Sequence, residues 1–311
     1  MAITKMSSTG VVAGDVALAS QYNNLFYDIP SFTWIRSGRL TLTSTDAVTT
    51  TDITAATTIY YVPYAGSLFS TFRNTSIAFS EVYRFDELSL TLNTTDHPAN
   101  TNFDVYAYHL ATSTDSTYLS LVSVAWSTDL TRDDALVEYY GTYSRTGFGV
   151  GFYNFVGSFR TVAAGQTEDS LTKRFLANYY NKVPKNMYVE QVATFTSTTD
   201  TPALWNGSTT NNQLEFIVCE PYGYSVQMGL RPNLQVATDG QLARAQIHID
   251  GAEYTTPSMH VSNYNDQYIK LRDSGNPILP TGYHYINVYA FGTDGGTATY
   301  TSLKVDAQVW V

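Results

Sequence analysis

The sequence predicts an all-β protein of antiparallel, jelly-roll-like β-sandwich domains that follow a short N-terminal arm with a helix. β-Branched and aromatic residues alternate with hydroxyl residues over long stretches, as in GRLTLTSTDAVTTTDITAATTIYYVPYAG at 38–66. Clusters of Asp, Asn, Pro and Gly separate these stretches, and no helices alternate with them. No fixed repeat period is visible, so a propeller or solenoid is not expected.

The N-terminal segment 1–37 is expected to be an arm whose residues 15–29 form a helix. Asp15 occupies the N-cap position and Pro30 ends the pattern. A helix of about fifteen residues is marginal alone in water, so its apolar stripe must dock on its own β domain, on sister chains or on a larger assembly. The stripe forms an a/d seam of four residues, which are Leu18, Tyr22, Leu25 and Ile29.

Strands are expected from Gly38 onward, in a central β domain at 38–200. Ten apolar residues fall at alternating positions in this region, namely Leu40, Leu42, Ile59, Tyr61, Leu88, Leu90, Leu92, Phe103, Val105 and Ala107. Residues 165–184 fit either a helix or a strand, and their Asn, Tyr and Phe content favours a strand. Residues 196–212 are polar and turn-rich, which is typical of a linker.

A C-terminal β-sandwich is expected at 201–311. Its last 26 residues, INVYAFGTDGGTATYTSLKVDAQVWV, predict a hairpin with its turn at 294–296 and a final strand to Val311. Tyrosines crowd this third of the chain. Tyrosine is a rigid amphipathic side chain that stacks on sugars and anchors interfaces, but it also fills strands. Three tyrosines predicted in loops are candidate contact residues: Tyr254, Tyr264 and Tyr268.

Composition limits the partners. Only 14% of residues are charged, so neutral polar side chains must cover much of the surface, which suits protein and sugar contacts. The net charge of −10 argues against nucleic acid, because a phosphate backbone needs clustered Lys and Arg. No apolar run approaches a membrane span, so membrane insertion is not expected. Gly14 and Asp15 interrupt a would-be signal peptide core, so a secretion signal is not expected.

No pattern indicates a catalytic, cofactor or metal site. The five histidines lack a GxSxG partner motif, and those at 109, 248 and 284 fit structural positions in strands. Cys219 fits a buried strand position. Calcium binding at Asp133 and Asp134, Glu168 and Asp169, or Asp266 and Asp273 stays an alternative to solvated loop acids. The glycines at 147, 149 and 151 match no phosphate-loop spacing, and are expected to permit bulges.

Several of these segments resemble known proteins. GRLTLTSTDAVTTTDITAATTIYYVPYAG, FDVYAY and AGQTEDSLTKRFLANYYNKV resemble a group of tailed-bacteriophage virion proteins, and GDVALASQYNNLFYDI resembles N-terminal segments of phage tail fibre proteins. The resemblance covers residues 11–185. It implies a virion structural protein of the tail or head that forms a homotrimer or a higher symmetric assembly. Pro184-Lys185-Asn186 departs from the more basic continuation of that group.

These observations together predict a non-enzymatic protein that is made in the host cytoplasm and assembled into the phage particle. The N-terminal seam would bury against sister chains or other virion proteins, and C-terminal loops would contact a host cell-surface glycan or protein. One alternative is a capsid decoration or head-fibre protein without a ligand. A second is a polysaccharide-degrading enzyme, which would need two carboxylates at a defined separation.

Overall fold

A computed structural model describes residues 35–72, 80–109, 119–139, 142–145, 153–192, 194–208, 211–236, 242–254, 259–262, 269–270, 273–293 and 297–311. The predicted arm helix and its seam residues Leu18, Tyr22, Leu25 and Ile29 lie outside these ranges, as do the glycines at 147, 149 and 151. No helix in the described ranges is long and apolar enough to cross a membrane.

The described residues are all-β, as the alternation predicted. The first half forms β1 (Gly38–Thr41), β2 (Ile53–Ala56), β3 (Thr58–Pro63), β4 (Leu68–Phe72), β5 (Ser80–Arg84), β6 (Leu88–Thr91), β7 (Asn102–His109), β8 (Leu119–Ala125), β9 (Leu136–Tyr139), β10 (Thr142–Arg145), β11 (Tyr153–Ala163), β12 (Gln166–Asp169), β13 (Lys173–Arg174) and β14 (Leu176–Asn178).

The second half continues the same pattern, with one 3-10 turn at Trp205–Gly207. Its strands are β15 (Pro184–Gln191), β16 (Phe195–Ser197), β17 (Ala203–Leu204), β18 (Leu214–Val218), β19 (Tyr224–Ser225), β20 (Gln227–Val236), β21 (Leu242–Ile249), β22 (Ala252–Glu253), β23 (Met259–Ser262), β24 (Ile269–Lys270), β25 (Asp273–Gly275), β26 (Ile278–Leu279), β27 (Gly282–Thr293) and β28 (Ala298–Trp310).

The first core lies between the sheet β1-β3-β6 and the strands around β7 and β11. The ten alternating apolar residues predicted for this region all belong to it. Leu88 and Leu90 are partly buried there, and the other eight are buried. The segment 165–184 forms strands β12 to β14, so the strand interpretation is confirmed.

The second core lies between two sheets of the C-terminal half. One sheet has the order β15-β28-β20-β24, and the other contains β21, β27 and β18. Met187, Leu230, Ile247, Val288 and Val305 are among the buried residues between them. Because β15 precedes residue 200 and pairs along its length with β28, strands from both sides of the predicted domain boundary share this core. The boundary itself stays a prediction.

The predicted hairpin of the last 26 residues is wrong. β27 pairs with β21 and β18, whereas β28 pairs with β15 and β20, so the two strands belong to different sheets. Both strands alternate apolar and polar residues, and that pattern fits any antiparallel partner. The pairing is decided by the core, because each strand turns its apolar residues toward the space between the sheets.

The segment 196–212 is not a free linker. Trp205 at its centre is fully buried, and its ring lies 4.7 Å from the ring of Tyr300 and 6.1 Å from that of Phe195, centroid to centroid. β17, just before it, pairs with β27. The segment does contain a turn, as its composition predicts, but its single tryptophan anchors that turn in the core.

Gly157 lies in β11 between two partner strands, opposite Val105 of β7 and Asn178 of β14. A Cβ atom there would lie 2.2 Å from the carbonyl oxygen of Ala177 and 2.8 Å from Leu40 Cδ1. The register of β11 with β7 shifts just before this residue, which marks a bulge. Glycine is therefore required by the close approach of the next strand.

We expect Gly157→Ala to lower the free energy of unfolding by about 1–3 kcal/mol, because the methyl group must displace backbone or core atoms. Urea denaturation followed by circular dichroism measures the change. Ser89→Ala, at an exposed position of β6, is the matched control and should shift stability by less than about 0.5 kcal/mol. Equal stability of Gly157→Ala and the wild type would contradict the close approach of β14.

Candidate functional site

The strongest candidate site is a groove of about 530 Å³ on the outer face of the sheet β15-β28-β20. Alternate residues of these strands point into the second core, so the residues between them face outward. We call this feature the sheet-face groove. Its outward residues are Asn186, Tyr188, Gln227, Gly229, Arg231, Lys304, Asp306 and Gln308, and Asn276 lines it beside β20.

Strand register arranges these residues in rows across the sheet. Gln308 lies opposite both Asn186 and Gln227, which makes a row of three amides. Asp306 lies opposite both Tyr188 and Gly229 in the next row. Four residues of β28 span ~13 Å and adjacent strands are ~4.8 Å apart, so the groove can hold a short extended ligand.

Polar contacts hold several of these side chains in place. Arg231 binds Asp306 Oδ1 through Nε at 3.1 Å and Nη2 at 2.5 Å. Gln308 Nε2 donates to Asn186 Oδ1 at 3.0 Å. The Asp306 carboxylate lies close over Gly229, where an added Cβ atom would be 2.7 Å from Oδ2. These contacts fix the floor of the groove without closing it.

Two aromatic side chains are exposed on this face. Tyr188 keeps 39% of its surface exposed, with Lys304 Nζ 4.4 Å from its ring centroid. Trp310 is 44% exposed and shares the outward face of β28 with Gln308, two residues away. The face therefore combines aromatic surfaces with amides and fixed charges.

Of the three predicted contact tyrosines, Tyr254 is the one within the described residues, and it does not line the sheet-face groove. Tyr254 is partly buried and packs against the second core, and its N–H donates to the carbonyl oxygen of Ile247 at 3.0 Å. Tyr264 and Tyr268 lie outside the described residues. Nothing in the structure brings Tyr254 to the sheet-face groove, and its role as a host contact stays a prediction.

The structure describes the side chains of three histidines, and each contacts other residues of the fold. His248 stacks on Tyr289 with ring centroids 3.7 Å apart, and His284 Nδ1 lies 2.7 Å from Asp250 Oδ2. His97 resembles a Ser–His pair, with Nε2 2.9 Å from Ser123 Oγ. Its Nδ1 lies 3.1 Å from the Asn93 nitrogen and 3.3 Å from the Asn93 carbonyl oxygen, and its ring packs against Phe103 with centroids 5.0 Å apart, so both ring nitrogens have partners within the fold.

Cys219 is buried, as predicted, and burial raises the pKa of its thiol well above the ordinary value. Asp133 and Asp134 pair with Arg145, and Asp169 pairs with Arg174 and Lys185. Glu168 accepts a hydrogen bond from Ser170 at 2.7 Å. Within the described ranges no three His, Cys, Asp or Glu residues gather as a metal site. Asp266 lies outside those ranges.

Sequence reasoning missed the sheet-face groove. Its signal was present, since KNMYVEQ at 185–191 and LKVDAQVW at 303–310 both alternate apolar and polar residues. That alternation predicts strands with one outward polar face. It does not show that β15 and β28 are neighbours, and only that pairing makes a site from the two polar faces.

No family model and no curated protein matches the chain. Several solved structures show weak similarity. Latent PorU from Porphyromonas gingivalis is 11% identical with a TM-score of 0.28, over 68% of this chain and 24% of that one. The CBM36-1 domain of a xylanase from the hindgut metagenome of Trinervitermes trinervoides is 15% identical with a TM-score of 0.23, over 39% of this chain and 96% of that domain.

The VP2 subviral particle of infectious bursal disease virus is 11% identical with a TM-score of 0.24, over 70% of this chain and 55% of that one. The chain thus spans about a quarter of the length of PorU and about half that of VP2. With TM-scores of 0.28, 0.23 and 0.24, these similarities assign no role to this chain.

Proposed function

We propose that this chain is a non-enzymatic structural protein of a tailed-phage particle, specifically a tail fibre or other receptor-binding component. Its arm at 1–37 attaches it to the particle, it assembles as a homotrimer, and its C-terminal half contacts the host surface. The resemblance of residues 11–185 to phage virion proteins supports the particle assignment.

The sheet-face groove is the observation that carries the host contact. It is an open surface with an exposed tyrosine, four amides and an ordered Arg231–Asp306 pair, which are groups that recognise a ligand by stacking and hydrogen bonding. It supports a proposed host contact on a sheet face rather than on the loops around Tyr254. Several copies in one assembly would strengthen weak individual contacts by avidity.

The groove favours binding over hydrolysis of a sugar. Among its described lining residues Asp306 is the one carboxylate, and it is bound to Arg231. Hydrolysis of a glycosidic bond by the common mechanisms needs a second carboxyl group. The sheet-face groove therefore supports a role in binding a sugar rather than in cleaving it.

Immunogold electron microscopy of the phage that encodes the chain tests the particle assignment. Antibody against the full chain should label the tail, and light scattering of the purified chain should give three times its 34.4 kDa mass. Label over the head would instead identify a decoration or head-fibre protein. Unlabelled particles would refute a virion role altogether.

A further inference from the structure

We propose that the sheet-face groove binds a carboxylate-bearing oligosaccharide, as found in acidic bacterial surface polysaccharides. The inference rests on the proposed function only for the source of the sugar. The side chains of the groove, together with the neighbouring Trp310, fit this one class of ligand.

The amides make the groove suitable for sugar hydroxyls. Asn186, Gln227, Asn276 and Gln308 each carry both donors and an acceptor, and a sugar hydroxyl also donates and accepts. The one hydrogen bond between Gln308 and Asn186 leaves the rest of their polar capacity available. Amides spaced by strand register along ~10 Å of sheet can contact successive rings of an extended chain.

The exposed aromatics supply apolar surface for the faces of sugar rings. Tyr188 is oriented by Lys304 and still keeps more than a third of its surface exposed. Trp310 lies on the same face, four residues along β28 from the position opposite Tyr188, or ~13 Å. A rigid aromatic that loses little entropy on binding is the usual anchor of such a contact.

A protein partner fits this face less well. The centres of protein interfaces are apolar and depleted in charge, whereas the middle of this groove holds Arg231, Asp306 and Lys304. Addition of a peptide strand needs a free sheet edge. β28 lies inside its sheet, and the edge strand β15 is already engaged, because the Tyr188 N–H donates to the Leu171 carbonyl oxygen at 3.0 Å and Arg174 Nη2 donates to the Asn186 carbonyl oxygen at 2.8 Å. The hydrophilic, ridged face instead suits a hydrated polymer.

The positive charge of Lys304, unpaired in the part of the chain that the structure describes, favours a sugar that carries a carboxylate. Arg231 is bound by Asp306, but Lys304 has no carboxylate within 4 Å among the described residues, even though Glu190 lies opposite it in the strand register. The Lys304 ammonium contacts the Tyr188 ring instead. A carboxylate on a sugar stacked at Tyr188 would meet this ammonium and form a charge-assisted hydrogen bond.

The test is binding of the full chain to uronic acid-containing bacterial oligosaccharides and to the same oligosaccharides after carboxyl reduction, by glycan array and calorimetry. The wild type should prefer the acidic form. Tyr188→Ala should weaken binding to both forms at least about tenfold, as for a central aromatic anchor. Lys304→Gln should weaken binding to the acidic form alone and remove the preference.

Tyr222→Ala is the matched control, because Tyr222 is 84% exposed and lies outside the groove, and it should bind as the wild type does. Circular dichroism and light scattering of every variant check that fold and assembly persist. If the wild type binds the sugar and Tyr188→Ala binds it equally well, the sheet-face groove is not the binding site. That result would leave the proposed virion role unaffected. No binding by the wild type to any acidic oligosaccharide would overturn the inference as well.

One further outcome identifies a different occupant. If Tyr188→Ala or Lys304→Gln changes the oligomeric state, the groove is a contact between copies of this chain and the sugar inference is wrong. Because immunogold labelling of particles does not depend on these residues, the proposed function and this inference can fail separately.

Discussion

Trp205→Ala should lower the free energy of unfolding by about 3–5 kcal/mol. The substitution removes a fully buried ring from the second core and leaves a cavity beside Tyr300 and Phe195. It also releases the turn that holds β17 against β27. Guanidinium denaturation followed by circular dichroism measures the loss as a fall in the transition midpoint.

Trp310→Ala is the control of the same residue type. Trp310 is 44% exposed on the outer sheet face, so its removal should cost less than about 1 kcal/mol. If Trp205→Ala does not accumulate as a folded protein, Trp205→Phe keeps an aromatic ring there and should give an intermediate loss. A Trp205→Ala midpoint equal to that of Trp310→Ala would restore the interpretation of 196–212 as a linker.

Asp104→Ala should be comparably damaging, with an expected loss of about 3–5 kcal/mol. Asp104 is buried in β7 and binds Arg132 Nε at 2.7 Å, and it accepts hydrogen bonds from Ser158 at 2.7 Å and Tyr106 at 3.3 Å. Removal of the carboxylate leaves a largely buried guanidinium without its counter-charge, which costs more than the pair itself contributes.

Arg132 makes this pair important beyond β7. Its Nη2 donates to the carbonyl oxygen of Cys219 at 2.8 Å, and its guanidinium lies 4.6 Å from the ring centroid of Trp126. It therefore joins β7 to the segment that follows β18. We expect Asp104→Ala to lower the unfolding midpoint and to expose Cys219 to a thiol reagent.

Asp133→Ala is the matched control for Asp104→Ala. Asp133 is 59% exposed and lies 3.4 Å from Arg145, an ion pair that solvent and salt screen. Its removal should change stability by less than about 1 kcal/mol. Equal effects of the two substitutions, measured in the same denaturation experiment, would show that Asp104 is not the buried counter-charge of Arg132.

Much of the fold follows from local pattern. The alternation at Leu40 and Leu42, at Ile59 and Tyr61, and through β7 correctly predicted strands and the first core. The setting of Cys219 correctly predicted burial. These predictions succeed because side chains alternate between the two faces of any strand, so one sheet face can be assigned without knowledge of the partner strand.

The candidate site follows from local pattern much less. The sequence directed attention to Tyr254, which packs against the second core, and passed over Tyr188. The two tyrosines have similar β-forming neighbours, and their exposure depends on which elements cover them. The local sequence around a ligand-contacting residue on a sheet face looks the same as that around any other outward-facing strand residue, so the sequence cannot distinguish the two.

The sequence alone determined that the described part of the chain from Gly38 onward is all-β, that charged residues are few and the net charge negative, and which residues of the central strands are buried. Only the tertiary structure decided that β27 and β28 lie in different sheets, that Trp205 anchors a turn, and that β15, β28 and β20 combine their polar faces into one groove. The physical reason is that alternation fixes the two faces of a strand, whereas packing of the core selects its neighbours.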